Sequence, residues 1–439
     1  MTSPLASEQL AALTNNSRIR PIDYWLSDWE SPAPTTNQGT SNLAFQRWFG
    51  FKEAFSPSFV HDVISSQEHQ PRSILDPFSG SGTTALTAQF LGIHPYAIEV
   101  NPFLADLAEI KLATPEPMEI VSLKKTLLKK ARLLRDERLL EKYPMPPTFV
   151  EPGVKDRWLF NRDVAIKILS FRAAIEELES IHQKKVGTVA LGSVLLKVSN
   201  ATVNGKGRRY RTNWQQRIIP DVDQEVESAL LNMAEDARLA RFKETVDYSL
   251  IRGDSREQIK KIDREIDLVL FSPPYPNSFD YTDVYNIELW MLGYLKNSAD
   301  NRSLRSQTLR SHVQVARDLG TKALSSPTLK SAHEEMIEKK EALWNPKLPD
   351  MVCAYFDDLS TIICDAGAKL SKHGKVAVVA GDSQYAGVKV NVPKILDELL
   401  PNLGFTIEAV KTVRSMRSSP QQGGCLHLPE SLITIRRLQ

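Results

Sequence analysis

The sequence predicts an α/β fold: a doubly wound, largely parallel sheet with a terminal antiparallel strand pair and a largely helical insertion. Three observations carry this. Short apolar runs ending in glycine-rich or acidic turns alternate with helical stretches, the pattern of a parallel sheet covered on both faces. The alternation stops after the second strand and resumes only before Asp254, and a connection that long needs structure of its own. The chain then closes on GFTIEAVKTV and SLITIRRL, which look like two strands forming an antiparallel pair.

The elements follow in order. Residues 1–44 are read as an extension or linker, since SPAPTTNQGTSN is rich in Pro, Ser, Thr, Asn and Gly. SILD (Ser73 to Asp76) is a short strand feeding a glycine turn, and TTALTAQFLG a helix after it. PYAIEV (Pro95 to Val100) is a second strand ending near an acid. Residues 113–245 form the insertion, in which SLKKTLLKKARLLRDERLLEKY is amphipathic helix and RDVAIKILSFRAAIEELESI another. The sheet domain then comprises 45–112 and 246–439. In its second part Asp267 to Phe271 is nearly all apolar, as a strand buried on both faces would be, and a further strand is centred on Lys375 to Ala380. Between them residues 284–372 read as mixed helix and loop.

Composition bounds the function. The chain has 439 residues, 42% hydrophobic and 25% charged, as in an ordinary globular protein. With 55 Lys+Arg against 53 Asp+Glu the formal net charge is +2, so a nucleic-acid surface would have to be a local patch. Cys353, Cys364 and Cys425 are too few and too scattered for a disulfide framework or a zinc site, and no metal is expected. The opening MTSPLASEQLAAL lacks the basic-then-apolar order of a signal peptide, and no apolar run approaches a membrane span. The expectation is a soluble, cytoplasmic protein with no membrane partner.

Two motifs carry chemistry. In Asp76-Pro77-Phe78-Ser79-Gly80-Ser81-Gly82-Thr83-Thr84 the glycines directly after a strand let the backbone turn sharply and approach a ligand before a helix begins. Glu99, at the end of the second strand, stands where an acid takes the two ribose hydroxyls of an adenosine. No lysine follows the glycines, so this is no phosphate-cradling loop. Gly253-Asp254-Ser255 follows DYSLI and reads equally as an acceptor for an adenine amine or as a turn in which Ser255, with Gln258, caps the next helix.

Ser272-Pro273-Pro274-Tyr275 follows the strand LVLF, at the carboxyl end where doubly wound folds place active sites. Two prolines remove two backbone donors and leave carbonyl acceptors, and an aromatic ring offers a stacking face. That suits a planar base with an amino group, though a Pro-rich turn leaving a strand is the commoner fate of a Pro-Pro pair. Lys206-Gly207-Arg208-Arg209-Tyr210-Arg211, near Trp214, interleaves cations with aromatics beside the turn Asn204-Gly205. It reads as a phosphate- and base-contacting loop or, equally, as a solvated basic loop.

Taken together these segments resemble the amino-methylating DNA methyltransferases. D-P-F-x-G-S-G-T-T looks like the family's cofactor motif and S-P-P-Y like its catalytic tetrapeptide, and residues 49–57 (FGFKEAFSP) resemble the element closing over the methionine end of the cofactor. The resemblance implies a Rossmann-like class I methyltransferase sheet and S-adenosyl-L-methionine as cofactor. It implies cofactor contacts from Lys52, Phe55, Asp76, Pro77, Phe78, Gly80, Gly82, Thr83, Thr84, Glu99 and Asp254, and catalysis by Ser272, Pro273, Pro274 and Tyr275. A serine-first tetrapeptide is more usual for cytosine-N4 and an aspartate-first one for adenine-N6. The motif order implies target recognition in the insertion, with Lys206, Arg208, Arg209 and Arg211 as DNA contacts.

The expected function is site-specific methylation of cytosine-N4 in double-stranded DNA, within restriction-modification, with a partner nuclease or defence-system protein as a further expected companion. The alternatives are an adenine-N6 DNA methyltransferase, an RNA guanine-N2 methyltransferase and a non-catalytic DNA-binding subunit. A cytosine carbon-5 enzyme is set aside, because no cysteine lies near either motif.

Overall fold

Residues 21–26, 42–51, 53–204, 207–276, 280–320, 323–416 and 427–438 are described by a computed structural model. In chain order its strands are β1 (Ser73–Asp76), β2 (His94–Glu99), β3 (Ala201–Asn204), β4 (Gly207–Tyr210), β5 (Ser249–Arg252), β6 (Ile266–Phe271), β7 (Leu370–Gly381), β8 (Ser383–Tyr385), β9 (Val388–Val390), β10 (Phe405–Met416) and β11 (Leu428–Arg437). Seven form one sheet in the order β10-β11-β7-β6-β1-β2-β5. From β5 to β7 every neighbouring pair is parallel, while β11 is antiparallel to both β7 and β10.

The apolar runs explain the layout. In β6 Ile266, Leu268, Val269, Leu270 and Phe271 are all buried, which a strand covered on both faces requires. The chain winds outward from β1 through β2 to β5, then returns to the other side of β1 with β6 and β7. Winding therefore reverses between β1 and β6, the point at which open α/β sheets bind ligands beyond their strands' carboxyl ends. The α/β sheet with its closing antiparallel pair is the expected architecture. β7 is longer than its apolar centre suggested, because Leu370 to Gly374, with the polar Ser371, Lys372 and His373, continue it at its start.

Three helices follow α/β logic: α1 (Pro57–Ser65), α2 (Thr83–Phe90) and α3 (Pro102–Ala113). Ser56 and Asn101 cap α1 and α3 by accepting amides of their first turns, each with proline at the first helical position. The helices α4 (Pro117–Leu133), α5 (Arg162–Glu176), α6 (Ile181–Val198) and α7 (Val222–Ala237) fill the long connection before β5. Their apolar faces (Leu127, Ile168, Leu191, Leu230) share one core with Phe103 and Leu107 of α3. At Gly192 of α6 a Cβ would stand 2.4 Å from the Phe103 ring, so glycine permits this close helix approach. Asp236 of α7 accepts from Phe45 N and Trp48 Nε1, each at 2.8 Å, tying the segment before α1 to this helical layer.

Two sequence readings are corrected. The basic run is not an irregular loop: β3 and β4 form an antiparallel ribbon registering Ala201 with Tyr210 and Asn204 with Gly207. Ser255 does not cap the short helix α8 (Ser255–Gln258); the cap is Asp254, which accepts Arg256 N at 3.0 Å. The segment SPAPTTNQGTS, Lys52 and Lys206 lie outside the described residues.

Gly82 has φ 81°, and a Cβ there would stand 2.9 Å from Ala108 Cβ on α3. Gly387 has a similar φ of 83° with nothing within 4 Å. Gly82→Ala should cost about 2–4 kcal/mol, left-handed strain plus overpacking, against about 1–2 kcal/mol for Gly387→Ala. Urea midpoints at unchanged slope check this; equal losses would contradict it.

Candidate functional site: one cavity at the carboxyl ends of the strands

A cavity of about 220 Å³ opens where the winding reverses. Pro77, Phe78 and Gly80 after β1, Glu99 at the end of β2 and Asp254 after β5 line one part of it; Ser272–Tyr275 after β6 line another. Phe55 and Leu104 add apolar wall, and Arg414 and Glu430 enter from the antiparallel pair.

The glycine turn is held by its own polar groups. Ser79 N donates to Ile98 O at 3.0 Å and Gly82 N to Ser79 O at 2.8 Å. The Asp76 carboxylate accepts Phe78 N at 2.9 Å. Glu99 bridges two segments, accepting Gly80 N at 2.7 Å and Asn101 N at 2.8 Å. Gly80, with φ 53°, leaves no room for a side chain, since a Cβ would stand 2.7 Å from the Phe51 ring. Burial pushes Glu99 up to about 7 and Asp76 up to about 6, the amide hydrogen bonds opposing it only in part. Buried Lys111 on α3 donates to Ser81 O at 2.8 Å, and burial pushes its ammonium down to about 7.

The tetrapeptide is anchored at both ends. Ser272 Oγ donates to Tyr275 Oη at 3.2 Å, and Tyr275 Oη donates to Glu430 Oε1 at 2.6 Å. Glu430 is buried on β11 opposite Gly381 of β7, and Arg414 of β10 pairs with it through Nε at 2.5 Å and Nη2 at 3.0 Å. A Cβ at Gly381 would stand 3.0 Å from the Tyr275 ring, so glycine leaves space for it. Beyond the motif, buried Tyr385 donates to Pro276 O at 2.7 Å.

The opposite wall comes from residues 280–312. Tyr285 packs against Phe51 with ring centroids 5.3 Å apart. Thr282, Gln307, Thr308, Ser311 and His312 line the cavity. Asp280 receives Thr282 Oγ1 at 2.6 Å and pairs with Arg305. His312 is buried beside Arg317, which contacts its Nε2 at 3.0 Å, and burial pushes its imidazole down to about 4. Arg256 joins this wall to the sheet: it reaches Asp254 at 2.6 Å and Thr308 O at 3.5 Å, and it shares Asp358 of the helix Leu348–Gly367 with Arg310, each at 2.9 Å.

The sequence candidates therefore divide. Phe55, Pro77, Phe78, Gly80, Glu99, Asp254, Ser272, Pro273, Pro274 and Tyr275 come together around the cavity. Asp76, Gly82, Thr83 and Thr84 do not line it: Asp76 and Gly82 shape the turn, Thr83 Oγ1 reaches Gln46 at 3.3 Å, and Thr84 hydrogen-bonds Asp76. The Asp254 carboxylate lines the cavity and accepts Arg256 Nε at 3.0 Å and Nη2 at 2.6 Å. Along the β3–β4 ribbon Arg209 is exposed, while Arg208 and Arg211 are half-buried. Arg211 Nη2 donates to Leu196 O at 3.2 Å. Glu430, Arg414, Tyr285 and His312 were missed, because only the fold carries them to the site. Cys353 and Cys364 lie in the helix Leu348–Gly367, their thiols pushed up by burial to about 12 and about 11; Cys425 is outside the described residues.

Residues 7–110 match the family model described as DNA methylase, of the N6/N4 methyltransferase kind. Among curated proteins the chain is similar to the Type II methyltransferase M.AvaI of Nostoc sp., 24% identical over 86% of this chain and 82% of that protein. It is likewise similar to M.BsoBI of Geobacillus stearothermophilus, 26% identical over 88% and 83% respectively. These likenesses support reading the chain as an amino-DNA methyltransferase. A shorter match joins it to M.MjaII of Methanocaldococcus jannaschii, 36% identical over 78 residues, 18% of this chain and 14% of that protein. The matched family model implies S-adenosylmethionine as cofactor. Among the described residues no helix is long and apolar enough to cross a membrane.

Glu99 fixes one pH dependence of this chain. Its carboxyl is raised from 4.5 to about 7 in the folded chain, so between those values the folded state holds a proton that the unfolded state has lost. Its contribution to stability is full below the unfolded value and disappears as pH rises through about 7. From pH 4.5 to 8 the wild type should lose on the order of 3 kcal/mol more than Glu99→Gln. Urea unfolding of both at several pH values checks it; parallel profiles would contradict it.

Proposed function

We propose that this methyltransferase transfers a methyl group from S-adenosyl-L-methionine to the N4 amino group of a cytosine extruded from double-stranded DNA. The observation that carries the reading is the single cavity shared by the glycine turn with Glu99 and by Ser272–Tyr275. The serine-first tetrapeptide supports cytosine over adenine.

The residues fit the cofactor. A carboxylate offers about four lone-pair directions. Glu99 uses one on each oxygen for Gly80 N and Asn101 N, so each oxygen keeps capacity for a ribose hydroxyl. Pro77, Phe78 and Leu104 supply the apolar surface an adenine ring needs. When bound, S-adenosylmethionine supplies an electrophilic methyl on a sulfonium.

On the base side, Ser272 Oγ and the Pro273 carbonyl accept the amino hydrogens and stabilise positive charge developing on nitrogen. Neither Pro273 nor Pro274 has an N–H to compete there. Glu430 and Arg414 fix the Tyr275 hydroxyl, which holds its ring as one face for the extruded base. Extrusion costs a few kcal/mol of unstacking and unpairing. Glu99 and the Pro77–Gly80 turn would hold the cofactor so that its methyl is supplied to the amino nitrogen, and the proton that nitrogen loses would pass to water.

Residues 113–245 are proposed to recognise the target, with exposed Arg209 on the β3–β4 ribbon contacting a phosphate. Arg209→Ala should then flatten the slope of log affinity against log salt by about one unit. An unchanged slope would leave the ribbon without a DNA role.

Nucleosides from plasmid DNA treated with protein and S-adenosylmethionine, identified by mass, should contain N4-methylcytosine. N6-methyladenine would overturn the base assignment, and methylation confined to RNA would overturn the substrate. Ser272→Ala and Tyr275→Ala should bind S-adenosylmethionine normally yet transfer methyl at least about 100-fold more slowly. Wild-type rates in both would remove these roles.

A further inference from the structure

A second cavity, of about 270 Å³, lies next to the first, and Tyr285 lines both. It sits between the β3–β4 ribbon, α6 and the helix Asn286–Met291, with Phe49 as a further aromatic wall. Its polar lining is charged: Glu288 from the helix, Arg211 after the ribbon and Lys197 from α6.

Glu288 is 4% exposed and its Oε2 has no hydrogen-bond partner among the described residues. Arg211 Nε is also unpaired, as are Arg208 Nη1 on the ribbon and Asn286 Oδ1 on the helix. Native interiors leave few such atoms, because each costs about 1–3 kcal/mol when desolvated and unmade. Several gathered where the helix meets the ribbon, two of them on residues that line a cavity, mark a site built for a polar occupant. Burial pushes the Glu288 carboxyl up to about 7, with the Arg208 guanidinium opposing it, so the carboxylate gains from partners that donate to it.

The occupant must be flat enough to lie against aromatic walls, donate to a carboxylate and accept from a guanidinium. Guanine meets all three demands: its N1–H and N2 amino group face one way and its O6 and N7 acceptors another. Extruding a target cytosine leaves such a base unpaired in the opposite strand. We propose that this second cavity holds the guanine left behind when the target cytosine enters the first. The proposal rests on reading the first cavity as the site of cytosine methylation. Glu288 accepts the N1 and N2 hydrogens, and Arg211 donates to the acceptor edge. Holding the orphaned base offsets part of the cost of unpairing and couples extrusion to the identity of the opposite base.

The test starts by methylating plasmid DNA with the wild type and locating the modified base by sequencing. Duplexes carrying that site, with guanine or inosine opposite the target, are then bound in the presence of S-adenosylhomocysteine. Inosine lacks only the N2 amino group. The guanine-over-inosine affinity ratio should be about tenfold larger for the wild type than for Glu288→Gln, the size of one charge-assisted hydrogen bond. The ratio cancels the weaker pairing of inosine, and Glu288→Leu, which removes the buried carboxyl outright, is the second variant. An unchanged ratio in either folded variant overturns the proposal while methylation by the wild type leaves the first reading standing. A target base whose partner is not guanine also overturns it. Failure of the wild type to methylate any DNA overturns the first reading and this one with it.

Discussion

The reversal of winding between β1 and β6 is the constraint on which the site depends. Because the chain crosses to opposite sides of β1, the carboxyl ends of β1, β2 and β6 face one open crevice rather than the undersides of helices. The antiparallel β11 then brings Glu430 alongside Gly381, so a carboxylate from the last strand reaches the Tyr275 hydroxyl. Neither motif could face the other if β6 had been added outside β5.

Buried ionisable groups set the character of this region. Glu99, Asp76, Lys111, His312 and Glu288 are all pushed toward their neutral forms by loss of water. Where pairs persist, as in Glu430 with Arg414 or Asp358 with Arg256 and Arg310, the guanidinium forks span separate segments and fix the walls relative to one another. Breaking one partner of such a pair leaves a buried charge uncompensated, so these residues fix geometry more strongly than their net stabilisation suggests.

Much of this was legible in the sequence. Alternating runs gave the sheet, and the glycine turn, Glu99 and Ser272–Tyr275 are short-range signals whose chemistry is local. What the sequence could not carry is register across distant strands: Glu430 and Arg414 lie in segments recognisable only as strands, and nothing local marks either as facing Tyr275. The basic ribbon is a different case, because Asn204-Gly205 between β-prone segments is itself a hairpin signal. Strand alternation then explains why neighbouring arginines fall on opposite faces. Asp76, Thr83 and Thr84 differ from the rest of their motif: they lie outside the cavity lining and bond within the turn or to Gln46.

The glycine turn and the tetrapeptide bound one space, and the proposed reaction places the transferable methyl inside it. Photocross-linking with methyl-labelled S-adenosylmethionine, followed by peptide mapping, tests it directly. Label is expected in the peptide containing Ser272–Tyr275 and should be lost in Glu99→Ala, since Glu99 lines the other side of the cavity. Label confined to peptides away from both motifs, or unaffected by Glu99→Ala, would contradict it.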